Sequence, residues 1–231
     1  MVILGIDAST KTGSVALYDS EIGILSEVNA NIRLNHSDSL MSLIDMTFKL
    51  AKITPSDIDR IGVSIGPGSF TGIRVGVGTA KGLAYSLGCD LVGVNELDIL
   101  AHTVSQTSNK IISLIDARKG RCYYSIYEYK NNKIKRISEY GAMELEIILE
   151  NYKNEKIIFT GDGSINYKEK INEIMGENAI YNLKSNSMVR AGILGEMAIT
   201  MEADNLFSLE PYYISKTQAE REKEARENKK K

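Results

Sequence analysis

The chain has 231 residues, which suits either one large domain or two small domains that each bury a core. Apolar residues make up 43% of the chain and charged residues 25%, which is the balance of an ordinary globular protein. The formal net charge of −2 excludes a positive electrostatic potential over the whole molecule, so we do not expect this chain alone to bind nucleic acid tightly. A local basic patch is still compatible with this charge.

The cysteines and the lengths of the apolar runs indicate the cellular compartment of the protein. The two cysteines, Cys89 and Cys122, form no disulfide framework, which fits a reducing cytosol. The opening stretch MVILGIDAST has no basic leader and predicts a first strand rather than a signal peptide. No apolar run reaches the roughly 18–20 residues that a membrane span needs. We therefore expect a soluble, cytoplasmic protein with no membrane partner.

Periodicity and turn residues in the first half of the chain predict strands followed by helices. VILGID (2–7) and SVALYD (14–19) form a predicted β-hairpin that is closed by a polar turn. Apolar residues recur with helical spacing through 36–52, and an apolar run at 61–65 precedes the glycine-rich stretch GPGSFTG (66–72). In chain order the predicted elements are strands 2–7, 14–19 and 23–31, a helix over 36–52, a strand at 61–65, a helix after the glycine-rich stretch, a strand at 91–94 and a helix over 95–106.

The second half of the chain repeats features of the first. SLIDARKGRCYYSIYEY (113–129) has the layout of the first hairpin, and IIFTGDGSI (157–165) resembles VSIGPGSF (63–70). Two matched features in the same order indicate the duplication of a βββαβα unit, and the polar run at 103–110 separates the two copies. We predict an α/β chain with domains at 1–106 and 107–216 and a charged tail at 217–231, in which the last helix of the second domain is free to pack back on the first.

Three turns resemble phosphate-binding loops. A glycine-rich turn between a strand and a helix frees backbone N–H groups at the positive end of the helix dipole, where phosphate binds. GPGSFTG has this layout, Asp7 ends the first strand beside two hydroxyl residues, and Gly-Asp-Gly follows the strand near residue 160. The candidate residues of these vestigial phosphate loops are Asp7, Ser9, Thr10, Gly66, Gly68, Ser69, Gly161, Asp162 and Gly163.

The residues favour a binding protein over an enzyme. The chain has only two histidines, His36 and His102, far apart in sequence, so we expect no His-based metal site and no metal ligands. GPGSFTG does not match G-x-S-x-G, and Ser69 is predicted to be the N-cap of the next helix rather than a nucleophile. Asp7 suits a phosphotransferase, but no P-loop lysine motif accompanies it. We expect no catalytic residue; the alternative is an independent small ATP-dependent phosphotransferase of the sugar-kinase type.

Two helices carry more apolar surface than one sheet covers. In the segment 72–88, small residues recur every four positions from Gly72, and the helix at 36–52 has a second apolar line beside its core-facing one. Surplus apolar surface indicates a partner site; the alternative is burial between the two domains. The predicted partner interface consists of Met41, Ile44, Phe48, Ile73, Gly76, Val77, Ala80 and Ala84.

Several stretches resemble one protein family in order over residues 2–216. They are IDASTKTGSVALYD, GPGSFTGIRVGVGTAKGLAY, LVGVNELDILA, IDARKGRCYYSIYE, TGDGS and EPYYISK, and they are similar to the TsaB (YeaZ) family. Paired units of this kind also resemble the actin, hexokinase and Hsp70 superfamily. The resemblance implies two actin/Hsp70-like (ASKHA, ribonuclease H-like) subdomains, each a mixed β-sheet flanked by helices. Ser215 and Lys216 stand where the family more often has an arginine.

The resemblance also implies a function. Members of this family are non-catalytic scaffold subunits that are required for the threonylcarbamoyl group on adenosine 37 of tRNAs reading ANN codons. The implied partners are the transferase TsaD, the ATPase TsaE in a ternary complex, a second copy of the chain in isolation, and tRNA only through the complex. The resemblance implies no cofactor for this chain, because metal and ATP belong to the partner subunits. It is also compatible with weak binding of ATP or ADP to this chain.

Overall fold

The structure is a computed structural model that describes residues 1–10, 12–31 and 36–214. For residues 36–38 it describes the backbone only. The charged tail predicted at 217–231 lies outside the described residues. No helix in the described part combines the length and the apolar character that a membrane crossing requires.

The first half of the chain forms a five-stranded sheet. Its strand order is β3-β2-β1-β4-β5, in which the first three strands are antiparallel and the last two run parallel to β1. The elements are β1 Val2–Asp7, β2 Thr12–Asp19, β3 Gly23–Asn31, α1 His36–Ala51, β4 Arg60–Ser64, α2 Phe70–Leu87, β5 Asp90–Val94 and α3 Glu96–His102.

Every element predicted for this half is present, with ends that differ by one or two residues and one larger difference. The helix predicted over 95–106 ends at His102. The Thr103 hydroxyl donates to the Leu100 carbonyl at 2.6 Å. It thereby provides a hydrogen-bond partner for one of the carbonyl groups that the end of the helix leaves unpaired. The polar run that follows then connects to the second half.

The second half forms a second sheet with the same connectivity. Its strand order is β11-β10-β6-β7-β8, and β9 also pairs with β7. The β6–β7 hairpin matches β1–β2, and β10 runs parallel to β6 as β4 runs parallel to β1. The elements are β6 Lys110–Asp116, β7 Arg121–Lys130, β8 Lys133–Arg136, β9 Gly141–Glu144, α4 Leu145–Glu150, β10 Ile157–Thr160, α5 Asp162–Asn166, α6 Lys168–Met175, β11 Ala179–Tyr181 and α7 Ala191–Ala198.

Helices cover both faces of each sheet because the strand residues alternate between two cores. Leu4 and Ile6 of β1 face a core with α1 and α2, which lie side by side, whereas Ile3 faces α7 on the other side of the sheet. α3 and α7 lie between the two sheets, and α4 and α6 cover the outer face of the second sheet.

α7 follows the second sheet in sequence but packs on the first. The Arg190 guanidinium donates to the Glu27 carboxylate of β3, and the Gly192 N–H donates to the same carboxylate at 3.1 Å. The Ala191 N–H donates to the Ser14 hydroxyl at 2.8 Å. Since these contacts cross the predicted boundary, the halves share a core. The domain limits 1–106 and 107–216 stay a prediction.

The segment after α7 returns along the edge of the first sheet. Arg60 donates to the carbonyls of Ala198 and Met201 at 2.8 Å each, and the Asp204 N–H donates to the Leu91 carbonyl at 2.8 Å. The Tyr212 N–H then donates to the Ile65 carbonyl at 2.8 Å. The described chain therefore ends beside the glycine-rich turn, with its backbone bonded to the free edge of β5.

Candidate functional site

The glycine-rich turn has the geometry of a phosphate loop, but two of its N–H groups, those of Ser69 and Gly72, have partners within the chain. Ser69 caps α2 as predicted, and its hydroxyl accepts from the Gly72 N–H at 3.3 Å. The Ser69 N–H itself donates to the Ser9 carbonyl at 2.6 Å. A Cβ at Gly68 would collide with the same carbonyl and lie 3.1 Å from Glu96 Oε2. The first hairpin thus fills the space that a phosphate would need.

Asp7 lies at the end of β1 and is fully buried. Its Oδ1 accepts from the Ser9 N–H at 3.1 Å and from the Ser9 hydroxyl, whereas Oδ2 finds no partner in the described chain. Burial raises the pKa of this carboxyl to about 6, and the hydrogen bonds from Ser9 offset part of the rise. The Thr10 hydroxyl donates to the Thr12 carbonyl at 3.2 Å. These groups close the hairpin turn, and the Asp7 carboxyl is buried, whereas a catalytic base would be open to its substrate.

Glu96 is a second fully buried carboxyl, and the sequence analysis did not identify it. It is the first residue of α3, its N–H donates to the Gly66 carbonyl at 2.9 Å, and neither side-chain oxygen has a partner in the described chain. Burial raises its pKa well above the usual value, and repulsion from Asp7 adds to the rise. Its burial arises where the glycine-rich turn packs on α3, so no signal in the sequence could have shown it.

The residues of the Gly-Asp-Gly turn in the second half, Gly161, Asp162 and Gly163, also contact neighbouring groups within the chain. The Asp162 carboxylate accepts from the Asp116 N–H at 3.0 Å and ties α5 to the end of β6. Gly161 has a φ of 91° and lies against the Leu114 carbonyl, where a side chain would collide. Gly163 packs on Leu114 as well. The structure therefore places these three residues at the start of α5, directly after β10.

The residues of the three turns do not fit a nucleotide with its metal ion. The N–H groups of Ser69 and Gly72 in the first turn have partners in the chain, and the buried carboxyls of Asp7 and Glu96 lie close to this turn, where a further negative charge would be repelled. Among the side chains of residues 1–10, 12–31 and 39–214, no three His, Cys, Asp or Glu residues are grouped to hold a metal ion. We derive no chemical step from these turns.

The predicted partner interface needs correction. Met41 is exposed and Phe48 is half-buried, but the other six predicted residues are buried in the core of the chain itself. The stripe that begins at Gly72 faces β1, because a Cβ at Gly72 would collide with the Ala8 carbonyl and one at Gly76 would contact Ala8. The six residues that this corrects are Ile44, Ile73, Gly76, Val77, Ala80 and Ala84.

The outer surface of α1 and α2 consists of different residues. Met41 and Leu50 of α1 are 50% and 61% exposed, although both are large apolar side chains. On α2, Gly78 and Gly82 are exposed, and a Cβ at either position would meet no described atom within 4 Å. This surface combines apolar side chains with the exposed ion pair between Asp45 and Lys49 of α1, and its glycines allow another backbone to approach closely. We call it the outward face and define it as Met41, Met46, Leu50, Gly78, Gly82 and Tyr85.

Comparison with known proteins identifies relatives of this sequence. A family model described as TsaD, tRNA N6-adenosine threonylcarbamoyltransferase, matches residues 21–222. The tRNA threonylcarbamoyladenosine biosynthesis protein TsaB of Bacillus subtilis is 30% identical over 224 residues, which cover 95% of this chain and 96% of that protein. TsaB of Escherichia coli is 32% identical over 139 residues, or 58% of each chain.

Solved structures with the same fold include YeaZ from Pseudomonas aeruginosa, which has a TM-score of 0.78 at 24% identity and covers 92% of this chain and 99% of its own. The ROK hexokinase from Thermus thermophilus has a TM-score of 0.51 at 10% identity over 87% of this chain and 100% of its own. These likenesses confirm the predicted fold of two actin-like (ASKHA, ribonuclease H-like) units. With the sequence relatives, they establish that the chain belongs to the TsaB (YeaZ) family.

Proposed function

We propose that this protein acts in tRNA threonylcarbamoyladenosine biosynthesis as a non-catalytic subunit that binds a TsaD-type transferase through the outward face. The observation that carries the proposal is the pair of exposed glycines on α2, together with exposed apolar side chains on the neighbouring helix α1. Glycine in an exposed helix interior costs about 1 kcal/mol relative to alanine. The sequence has this cost at two positions where a side chain would contact nothing in the described part of the chain, so close approach by another protein explains them.

The proposal includes the other partners of the assembly. In it, a second copy of the chain covers the outward face when the transferase is absent, because an exposed apolar surface favours self-association. A TsaE-type ATPase joins the ternary complex, and the threonylcarbamoyl group is formed on adenosine 37 of tRNAs that this chain meets only within the complex. Metal and ATP belong to the partner subunits, and this chain holds no cofactor.

The alternative, an independent ATP-dependent phosphotransferase, has less support. Such an enzyme needs open phosphate donors and a carboxylate that can hold a metal ion. Here the Ser69 N–H donates to the Ser9 carbonyl, and Asp7 is buried with a raised pKa. Replacing a catalytic carboxylate typically costs about 10²–10⁴-fold in rate.

Asp7→Asn tests the proposal against this alternative. Asparagine keeps the Oδ1 acceptor for the Ser9 N–H, so we expect the complex to assemble and to modify tRNA within about twofold of the wild-type rate. The measurement is the rate of tRNA modification with purified partner subunits, with gel filtration as the control for assembly. An Asp7→Asn complex that assembles but has lost modification would show that the carboxyl takes part in the chemistry.

A further inference from the structure

Four neighbouring strands of the second sheet carry a lysine at the same end. Lys156 precedes β10, Lys110 begins β6, Lys130 ends β7 and Lys133 begins β8. The sheet order β10-β6-β7-β8 brings these ends side by side. Adjacent strands lie about 4.8 Å apart, so the row extends over roughly 14 Å. We call these four residues the basic rim.

Three charges of the basic rim are not neutralised. Lys110 forms an ion pair with Glu155 at 2.6 Å. Lys130, Lys133 and Lys156 are exposed and form no ion pair with the described side chains, those of residues 1–10, 12–31 and 39–214. Lys130 and Lys133 also lie directly opposite each other in the β7–β8 register, where like charges repel. This cluster occurs in a chain whose net charge is −2, so it is a local feature.

An open polar depression of about 510 Å³ lies beside the rim. The tip of the β7–β8 hairpin is fixed against the loop after α3, because Gln106 Nε2 donates to Asn132 Oδ1 at 3.0 Å and the Tyr129 hydroxyl donates to the Val104 carbonyl at 2.7 Å. Amide and hydroxyl side chains next to lysines are the groups that contact phosphate and sugar oxygens in nucleic-acid complexes. The depression is lined by Gln106, Thr107, Ser108, Tyr129, Asn131 and Asn132.

We propose that the basic rim and this depression contact the phosphate backbone of tRNA when the chain is part of the transferase complex. The inference rests on the proposed function, which brings tRNA to the assembly. RNA fits this surface better than a protein or a membrane does. A protein interface has an apolar core and a membrane-binding surface has apolar anchors, whereas the only large ring in the depression is that of Tyr129. The lysines contact the phosphate backbone of the RNA and do not recognise its base sequence.

The test compares two triple variants that remove the same charge. The rim variant is Lys130→Gln, Lys133→Gln and Lys156→Gln. The control variant is Lys168→Gln and Lys170→Gln in α6 with Lys184→Gln after β11, in the same half of the chain. The measurement is the Kd of the assembled complex for a transcribed tRNA across a series of salt concentrations. We expect the rim variant to bind roughly 10-fold more weakly and to lower the slope of log Kd against log salt by about 2–3, and the control to change neither.

Gel filtration of the complex and its wild-type modification activity are measured first. If the wild-type subunits do not assemble, the proposed function fails. If they assemble and bind tRNA but the rim variant keeps the wild-type slope, the inference is wrong while the proposed function stands. A rim variant that loses the transferase subunit would also overturn the inference, because the rim would then be a protein interface.

Discussion

The double variant Gly78→Gln, Gly82→Gln is expected to lose binding to the TsaD-type subunit while its isolated fold becomes more stable. Both glycines lie in the interior of α2 with open space where a Cβ would be. Glutamine has a higher helix propensity than glycine, so the pair should raise the free energy of unfolding by about 1–2 kcal/mol. The same side chains fill the surface on which a partner helix would pack, and we expect binding to weaken on the order of 100-fold.

The double variant Gly78→Ala, Gly82→Ala is the matched control. Alanine gives a similar gain in stability but adds only a methyl group, so the loss of binding should be much smaller. Denaturant unfolding measures the free energy, and titration of the transferase subunit measures binding. A glutamine variant that gains stability and still binds with wild-type affinity would show that the partner site lies elsewhere.

Glu96→Gln is expected to stabilise the protein above pH 7 and to weaken the dependence of its stability on pH. Folding raises the pKa of both buried carboxyls, Asp7 to about 6 and Glu96 in the same direction. A carboxyl whose pKa is raised by folding stabilises the folded state below its unfolded pKa, and this contribution is lost as the pH rises through the folded pKa. For Asp7, the change from 3.8 to about 6 corresponds to about 3 kcal/mol lost over this interval.

Glutamine at position 96 stays neutral, so one buried charge and its repulsion with Asp7 are absent at every pH. We expect a gain of at least about 1 kcal/mol at pH 8 and a smaller difference at pH 4.5. The measurement is the free energy of unfolding from pH 4.5 to 8, and the exposed Glu177→Gln is the control. The folded state lowers the pKa of Asp19 and Asp57, whose contributions have the opposite sign, and they cancel in the difference between variants. A Glu96→Gln protein that is less stable than wild type at pH 8 would contradict this account.

Local patterns predicted most of the elements, because hairpin turns, helical spacing and the Ser69 cap act over a few residues. The face of α2 was predicted wrongly for a physical reason. Small residues occur on two sides of this helix, at Gly72 and Gly76 and again at Gly78 and Gly82. Spacing shows that both stripes exist, but only the packing of β1 determines which one turns inward. The burial of Glu96 likewise depends on contacts between segments distant in sequence.

Hydrogen exchange of this chain, measured in the presence and absence of the TsaD-type subunit, tests the central claim most directly. The free sample is diluted until it is monomeric, so that a second copy does not protect the same surface. The account predicts that the subunit slows exchange in segments 41–50 and 78–85, which carry the outward face. Protection confined to other surfaces, with these two segments exchanging as in the free chain, would contradict it.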